Sequence, residues 1–428
     1  MVLIFSTIAT ARLAYITNFL FGKLMGTRCT IINSPEAFIA YEGVKINYSE
    51  RAFEGVFLNV ACHKLLFETD IKTQQILPFE YRGNVAFFEM ANSDLPFDIF
   101  AASFYLISRY EEYLPYNEDM YGRYPHEDSL AYRLKFLQIP VINIWATYLA
   151  EIIEKKFPSF KPVKPSFSFL PTYDIDIAYS YKHKGFARNV GGALKHPSLE
   201  RFKVLLGLKK DPYDAYDWLD KLHEENQLDP IYFFLVAEKN GIYDKNILPY
   251  KNAMKLLIKN HAEKYPIGIH PSWQSFNNGD ILVNEIRSLE AISETIITAS
   301  RHHYIHFTIP HTYRRLLQYN IINDYSMGYG SINGFRASVA TSFYWFDIEK
   351  NEQTKLLIHP FCFMEANSYY EQKYTPQQAY DELIHYTDIC KQVNGRLITI
   401  WHNNFLGFGK EFAQWKHTYS KFILNLKK

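Results

Sequence analysis

Ser166-Phe167-Ser168-Phe169-Leu170-Pro171-Thr172-Tyr173-Asp174-Ile175-Asp176 is the stretch on which the reading of this chain turns. Its first five residues suit a short apolar strand. Pro171 is expected to end that strand, because proline has no backbone donor for a ladder. Thr172, Asp174 and Asp176 then stand directly after an apolar run. In a parallel α/β sheet or barrel, ligands bind at the carboxyl ends of strands. Asp174 and Asp176 are two positions apart, so on extended backbone they share a face. Two carboxylates on one face repel unless a proton or a cation sits beside them. A divalent metal on one, leaving the other as a base, is one reading. A polar strand end with Asp capping the next turn is the other.

Outward from this stretch, apolar runs alternate with helical patterns. Ile231–Val236, Ile267–Ile269 and Leu397–Ile400 read as strands. The spacing predicts helices over 214–225, 253–261, 284–297 and 376–393, the third with Ile286, Leu289 and Ile296 inward and the last with Pro376 in its first turn. Such alternation implies a parallel sheet with right-handed crossovers, either open or closed into a barrel. Polar groups recur beside the runs. His270 follows Ile267–Ile269, His359 follows Leu356–Ile358 and His402 follows Leu397–Trp401, while Arg301-His302-His303 precedes Tyr304–Phe307. Each needs a substitute for lost hydration, so the recurrence is harder to dismiss than any one histidine.

Residues 155–165 hold three prolines and four lysines and read as a linker. It separates an N-terminal α/β accessory domain, residues 1–160, from a C-terminal domain, residues 166–428. In the first, residues 2–6 read as a buried strand leading into an amphipathic helix, and helices are expected over 97–110 and 139–156. The adjacent Glu111 and Glu112 read as a solvated helix end, with catalysis the minor alternative. Arg336, in a glycine-containing loop, fits either bidentate binding of a sugar carboxylate or phosphate or the bracing of carbonyls.

Lys and Arg total 46 against 45 Asp and Glu, a net charge of +1, which argues against a nucleic-acid binder. The 33 Tyr and 33 Phe suit either core packing or a cleft where rings stack on sugars. Cys29, Cys62, Cys362 and Cys390 have no metal-ligand spacing and read as reduced, buried thiols of an intracellular protein. Arg12 and Lys23 interrupt any N-terminal run long enough to span a bilayer, so no transmembrane segment and a cytoplasmic location are expected.

The ordered series of strand ends resembles the polysaccharide deacetylase domain (NodB homology, carbohydrate esterase family four). Thr172-Tyr173-Asp174-Ile175-Asp176 matches its first motif, Tyr232-Phe233-Phe234-Leu235 its apolar strand, and Ile267-Gly268-Ile269-His270 its first histidine. Arg301-His302-His303-Tyr304 and Asn323-Asp324-Tyr325-Ser326-Met327 stand in its next two places, and Ile400-Trp401-His402-Asn403 closes it. The resemblance covers about residues 166–405. It implies a distorted (β/α) barrel and a metal-assisted hydrolase that removes N-acetyl groups from amino sugars of a polysaccharide or glycan precursor. It makes Asp174 the general base, Arg301 the group that holds Asp174 charged and oriented, and His402 the acid that protonates the departing amine. Asp176 and His270 become ligands of a divalent metal of the zinc kind.

Two departures stand out. Gln274 occupies the place of the family's second ligand histidine, and His303 the place of a proline. His302 or His303, with His303 preferred, is expected to replace the missing imidazole; the alternative is Gln274 as a weak oxygen ligand. The rival class is a glycan-binding domain on a deacetylase fold that has lost its metal. A third reading is an amidohydrolase acting on a non-sugar C–N bond.

Overall fold

The computed structural model describes residues 1–195 and 197–426. The chain forms two compact units. The first comprises Met1–Ser168, Gly334–Pro360 and Asp388–Leu397; the second comprises Phe169–Asn333, Phe361–Thr387 and the segment from Ile398 onward.

In the first unit, β1 (Val2–Phe5) lies inside a parallel sheet of order β2-β1-β3-β4, with β2 at Cys29–Ile32, β3 at Val44–Asn47 and β4 at Leu58–Asn59. A strand paired on both edges suits the unbroken apolar run of β1, all four residues of which are buried. Thr10 caps the helix Ala11–Thr17 by accepting the Leu13 N–H at 3.1 Å. An antiparallel pair, β5 (Phe79–Tyr81) and β6 (Asn84–Ala86), follows. Asp98 caps the wholly buried helix Ile99–Ile107 through the N–H groups of Phe100 and Ala101, both at 3.0 Å. That helix stops short of the expected Tyr110 because Arg109 takes a left-handed φ of 54°. The second expected helix is Val141–Lys156.

Glu111 and Glu112 are not a solvated helix end. They are 7% and 3% exposed. Glu112 receives Arg109 Nε at 2.7 Å and Arg336 through Nε at 2.8 Å and a terminal nitrogen at 2.6 Å. A forked guanidinium–carboxylate pair of this kind, with Arg336 only 1% exposed, engages Arg336 inside the protein and decides against its role as a binder of sugar anions. Burial works to raise the Glu112 carboxyl, but Arg336 and Arg109 outweigh it and hold the group below its ordinary range.

In the second unit the parallel strands are β7 (Ser168–Ile175), β8 (Ile231–Phe234), β9 (Ile267–Ile269), β10 (Ala299–Ser300) and β11 (Asn323–Asp324). An antiparallel hairpin, β12 (Phe343–Asp347) and β13 (Glu352–Ile358), belongs to the first unit. β14 (Phe363–Met364) and β15 (Arg396–His402) complete the set, and the strands of the second unit run in the order β11-β10-β9-β8-β7-β15-β14. The α/β class is as expected. Among the described residues this order is linear, and none of its pairings closes it into a barrel.

Several local expectations are corrected. β7 runs through Pro171 to Ile175; its register with β8 starts only at Thr172, after the residue that lacks a donor. The segment Tyr304–Phe307 is not a strand. β10 ends at Ser300, and His303–Ile305 is a 3₁₀ turn in which Tyr304 and Ile305 have φ of 59° and 53°. The helix expected over 284–297 is Gly279–Ser293; it ends at a left-handed Glu294, which leaves Ile296 outside it and 83% exposed. Cys362 and Cys390 are buried, but Cys29 and Cys62 are only partly so.

Gly268 sets the spacing of the strands that carry the site. A Cβ there would lie 2.5 Å from the Phe233 ring and 2.9 Å from the Ala299 carbonyl oxygen. Overpacking of a tight interior costs about 1–3 kcal/mol, so Gly268→Ala is expected to lower the urea midpoint accordingly. A midpoint equal to wild type would show that β8, β9 and β10 do not need this close approach.

Candidate active site

Asp174 lies within β7 and Asp176 just beyond its end, and both turn to the cluster formed at the carboxyl ends of β7, β9 and β15. Asp174 is 2% exposed and accepts a hydrogen bond from an Arg301 terminal nitrogen at 2.9 Å. The same nitrogen donates to Thr172 Oγ1 at 2.7 Å, Arg301 Nε donates to the Tyr325 carbonyl at 3.0 Å, and the guanidinium lies 4.5 Å from the Phe233 ring centroid. Arg301 is fully buried, so its direction, and that of Asp174, is set by the packing around it.

Asp176 is met by three imidazoles. His270 Nε2 is 3.1 Å from Oδ1, and His303 and His402 each place Nε2 3.4 Å from Oδ2. In each ring Nδ1 is engaged elsewhere. His270 Nδ1 lies 2.6 Å from the Arg301 carbonyl oxygen, His303 Nδ1 3.1 Å from Asp244 Oδ1, and His402 Nδ1 2.8 Å from Glu365 Oε1. Acceptors at Nδ1 hold the proton there and turn Nε2 toward the cleft, the arrangement found behind metal-ligating histidines.

Asp176, His270 and His303 offer ligand atoms that all lie within 4.8 Å of one another. One carboxylate and two imidazoles are the donor set of a catalytic zinc site. Oδ1 of Asp176 is buried and has no hydrogen-bond partner of acceptable geometry, which suits an atom kept for a cation. These residues therefore fit the implied metal. His402 lies against the same carboxylate, and Asp174 also adds to its field.

The electrostatics are those of a strongly negative pocket. Burial opposes charge on His402, but Glu365 and then Asp176 outweigh it and push the pKa up to about 10. Burial likewise opposes charge on His303, and Asp176 with Asp244 raises it to about 9. The carboxyl of Asp176, despite its own burial, is held well below the usual range by His303 and His402. The field that favours protons on these rings is also one that attracts a cation.

Gln274 does not reach Asp176 through its amide nitrogen. Nε2 donates to Asp244 Oδ2 and to the Lys239 carbonyl, both at 3.1 Å. The residue in the place of the expected second ligand thus braces the carboxylate that holds His303. His302 is outside the cluster; burial pulls its pKa down to about 3. His359 belongs to the first unit, where its Nδ1 lies 2.9 Å from Ser342 Oγ.

Asp244 and Glu365 were not foreseen from sequence. Glu365 follows the apolar Phe361–Met364, so the strand-end rule that picked out the histidines would have found it. Asp244 sits in an irregular loop and carries no such mark.

Residues 2–158 match the model of a family of unknown function, DUF7033. No curated protein matches the chain. Among solved structures the chain is similar to a Mycobacterium smegmatis protein assigned as a polysaccharide deacetylase, at 13% identity and a TM-score of 0.41, over 61% of this chain and 84% of that one. PuuE allantoinase is similar at 11% identity and a TM-score of 0.38, over 61% and 84%. The Bacillus cereus polysaccharide deacetylase Bc1974 is similar at 10% identity and a TM-score of 0.29, over 62% and 89%. These likenesses are distant, and the chemistry proposed below rests on the residues of the site. No helix among the described residues is long and apolar enough to cross a membrane.

Proposed function

We propose that the second unit is a metal-dependent hydrolase of the polysaccharide deacetylase kind, which removes N-acetyl groups from amino sugars of a glycan or glycan precursor. The observation that carries this reading is the convergence of three imidazole Nε2 atoms on one carboxylate, beside a second carboxylate held by a buried arginine. Asp176, His270 and His303 would hold a divalent cation, zinc by the character of the donors. When bound, the cation would supply Lewis-acid polarisation to the acyl carbonyl and to water. Asp174, positioned by Arg301, accepts the proton of the attacking water. His402, held by Glu365 at Nδ1, delivers the proton at Nε2 to the departing nitrogen. The deacetylase-type barrel and the accessory role of residues 1–160 belong to the same reading.

The test is zinc analysis of the purified protein together with acetate release from a GlcNAc oligomer. Stoichiometric zinc and acetate release support the enzyme. Saturable oligomer binding with no acetate release under zinc, cobalt or manganese would instead establish the glycan-binding reading.

His402→Ala is expected to slow acetate release by about 10²–10³-fold, within the usual worth of a positioned acid. Oligomer affinity should hold, because the proton is needed only in the transition state. A loss of affinity with the rate intact would make His402 a binding residue.

A further inference from the structure

We propose that the described residues of the stretch 181–210 form a docking surface for an anionic lipid bilayer. This rests on observations separate from the metal cluster. The stretch holds eight Lys or Arg residues and one acidic residue, Glu200, a net +7 within a chain whose total is +1. The remainder of the protein is therefore net negative, and Lys210, at the end of the stretch, pairs with Asp214 and Asp217 just beyond it.

The same stretch carries an unusual apolar load. Between 190 and 208, seven large apolar residues are exposed, the most open being Leu199 at 81%, Leu194 at 80%, Leu208 at 75% and Leu206 at 73%. They lie on and just after two helices, Phe186–Lys195 and Leu199–Leu205. Val204, in the second helix, is fully buried, so that helix has an inward side and still presents Leu199, Phe202 and Leu205 outward. Burying such side chains is ordinarily what a helix does with its apolar face.

The excursion is built rather than loose. Asp211, fully buried, closes its base by accepting the N–H groups of Ser180, Tyr181 and Lys182 at 2.7–2.9 Å. Arg201 joins the two helices by donating to the Asn189 carbonyl at 2.9 Å, and Arg188 ties the first helix to the Lys245 carbonyl at 2.9 Å. Burial, with Arg188 close by, pulls the pKa of Lys184 down to about 8, so this lysine belongs to the packed base of the excursion.

Basic residues interleaved with exposed Leu and Phe on short helices are the pattern of segments that lie in a membrane interface. Lys182 and Lys203 meet anionic headgroups and the leucines enter the acyl boundary, while Arg188 and Arg201 brace the excursion and Lys209 and Lys210 are paired with Glu200 and Asp217. A lipid-free polyanion would use the charge and leave the leucines in water, and a second copy of the chain would bring the same positive charge against itself. A bilayer uses both features.

The experiment is co-sedimentation of the full chain with vesicles of phosphatidylcholine alone and of phosphatidylcholine mixed with phosphatidylglycerol. Binding to the mixed vesicles is expected to be at least about tenfold tighter and to weaken with salt, since each basic residue near an anionic surface contributes roughly fivefold. Lys182→Ala with Lys203→Ala should lower that affinity by about 20-fold. Leu199→Ser with Leu206→Ser should lower it by about tenfold or more. Circular dichroism checks that both variants fold. Absence of vesicle binding, or equal binding to neutral vesicles, overturns the proposal. So does heparin binding that matches vesicle binding and ignores the leucine changes, or leucine-dependent self-association without vesicle binding. None of these outcomes bears on acetate release, so failure here is distinct from failure of the proposed chemistry.

Discussion

Asp174→Asn is expected to cut acetate release by about 10⁴-fold, the upper end for a positioned base, while zinc content stays that of the wild type. Asp176→Asn is expected to remove both zinc and activity. The difference follows from what each carboxylate touches. Asp174 meets Arg301 at 2.9 Å and has its other oxygen 4.0 Å from His270. Asp176 is ringed by His270, His303 and His402. An amide at 174 keeps the shape of the pair but has no oxygen basic enough to take a proton. An amide at 176 loses the charge that holds a cation between two imidazoles. If both variants keep zinc and only Asp176→Asn is inactive, the two roles are reversed.

Glu112→Ala is expected to destabilise the first unit by about 3–5 kcal/mol, the cost of breaking a buried ion pair by removing one partner. The reason is the geometry of Arg109 and Arg336, each 1% exposed and each bonded to Glu112. Without that carboxylate two guanidiniums remain buried with one fewer counter-charge. Urea unfolding followed by tryptophan fluorescence would show the lowered midpoint, and a change under about 1 kcal/mol would mean that water or Glu111 takes over the pairing. The pH dependence has a definite sign. The carboxyl of Glu112 is depressed in the folded state, so its contribution is present above the ordinary carboxylate range and is lost as pH falls through and below it. Acid should therefore narrow the gap between wild type and variant.

Much of the site was legible because it is written in near neighbours. The two-residue spacing of Asp174 and Asp176 puts them on one side of extended backbone whatever surrounds them, and apolar runs mark where His270 and His402 emerge. The need for a third ligand beside Asp176 and His270 points to a histidine of Arg301-His302-His303, and the structure sets His303 Nε2 3.4 Å from Asp176. Its expected local setting was still wrong, because apolar Tyr304–Phe307 looks like a strand and is instead a turn and the chain beyond it. Left-handed conformations at Tyr304 and Ile305 bend the chain there, and nothing in those residue types announces it.

What the sequence determined by itself was periodicity: which runs are strands and helices, which charges share a face, and which histidines follow strands. Only the tertiary structure decided the partners. Arg336 reads as a ligand-binding candidate until Glu112, 224 positions away, is seen to fill its fork. Gln274 reads as a lost ligand until it is found bracing Asp244 behind His303. Glu365 is one carboxylate among many until β14 and β15 pair in parallel and bring it to His402. Face and spacing follow from bond geometry within a few residues, whereas a partner depends on which strands pair and in what register. That pairing is a balance over the whole core and is not carried by any short stretch of chain.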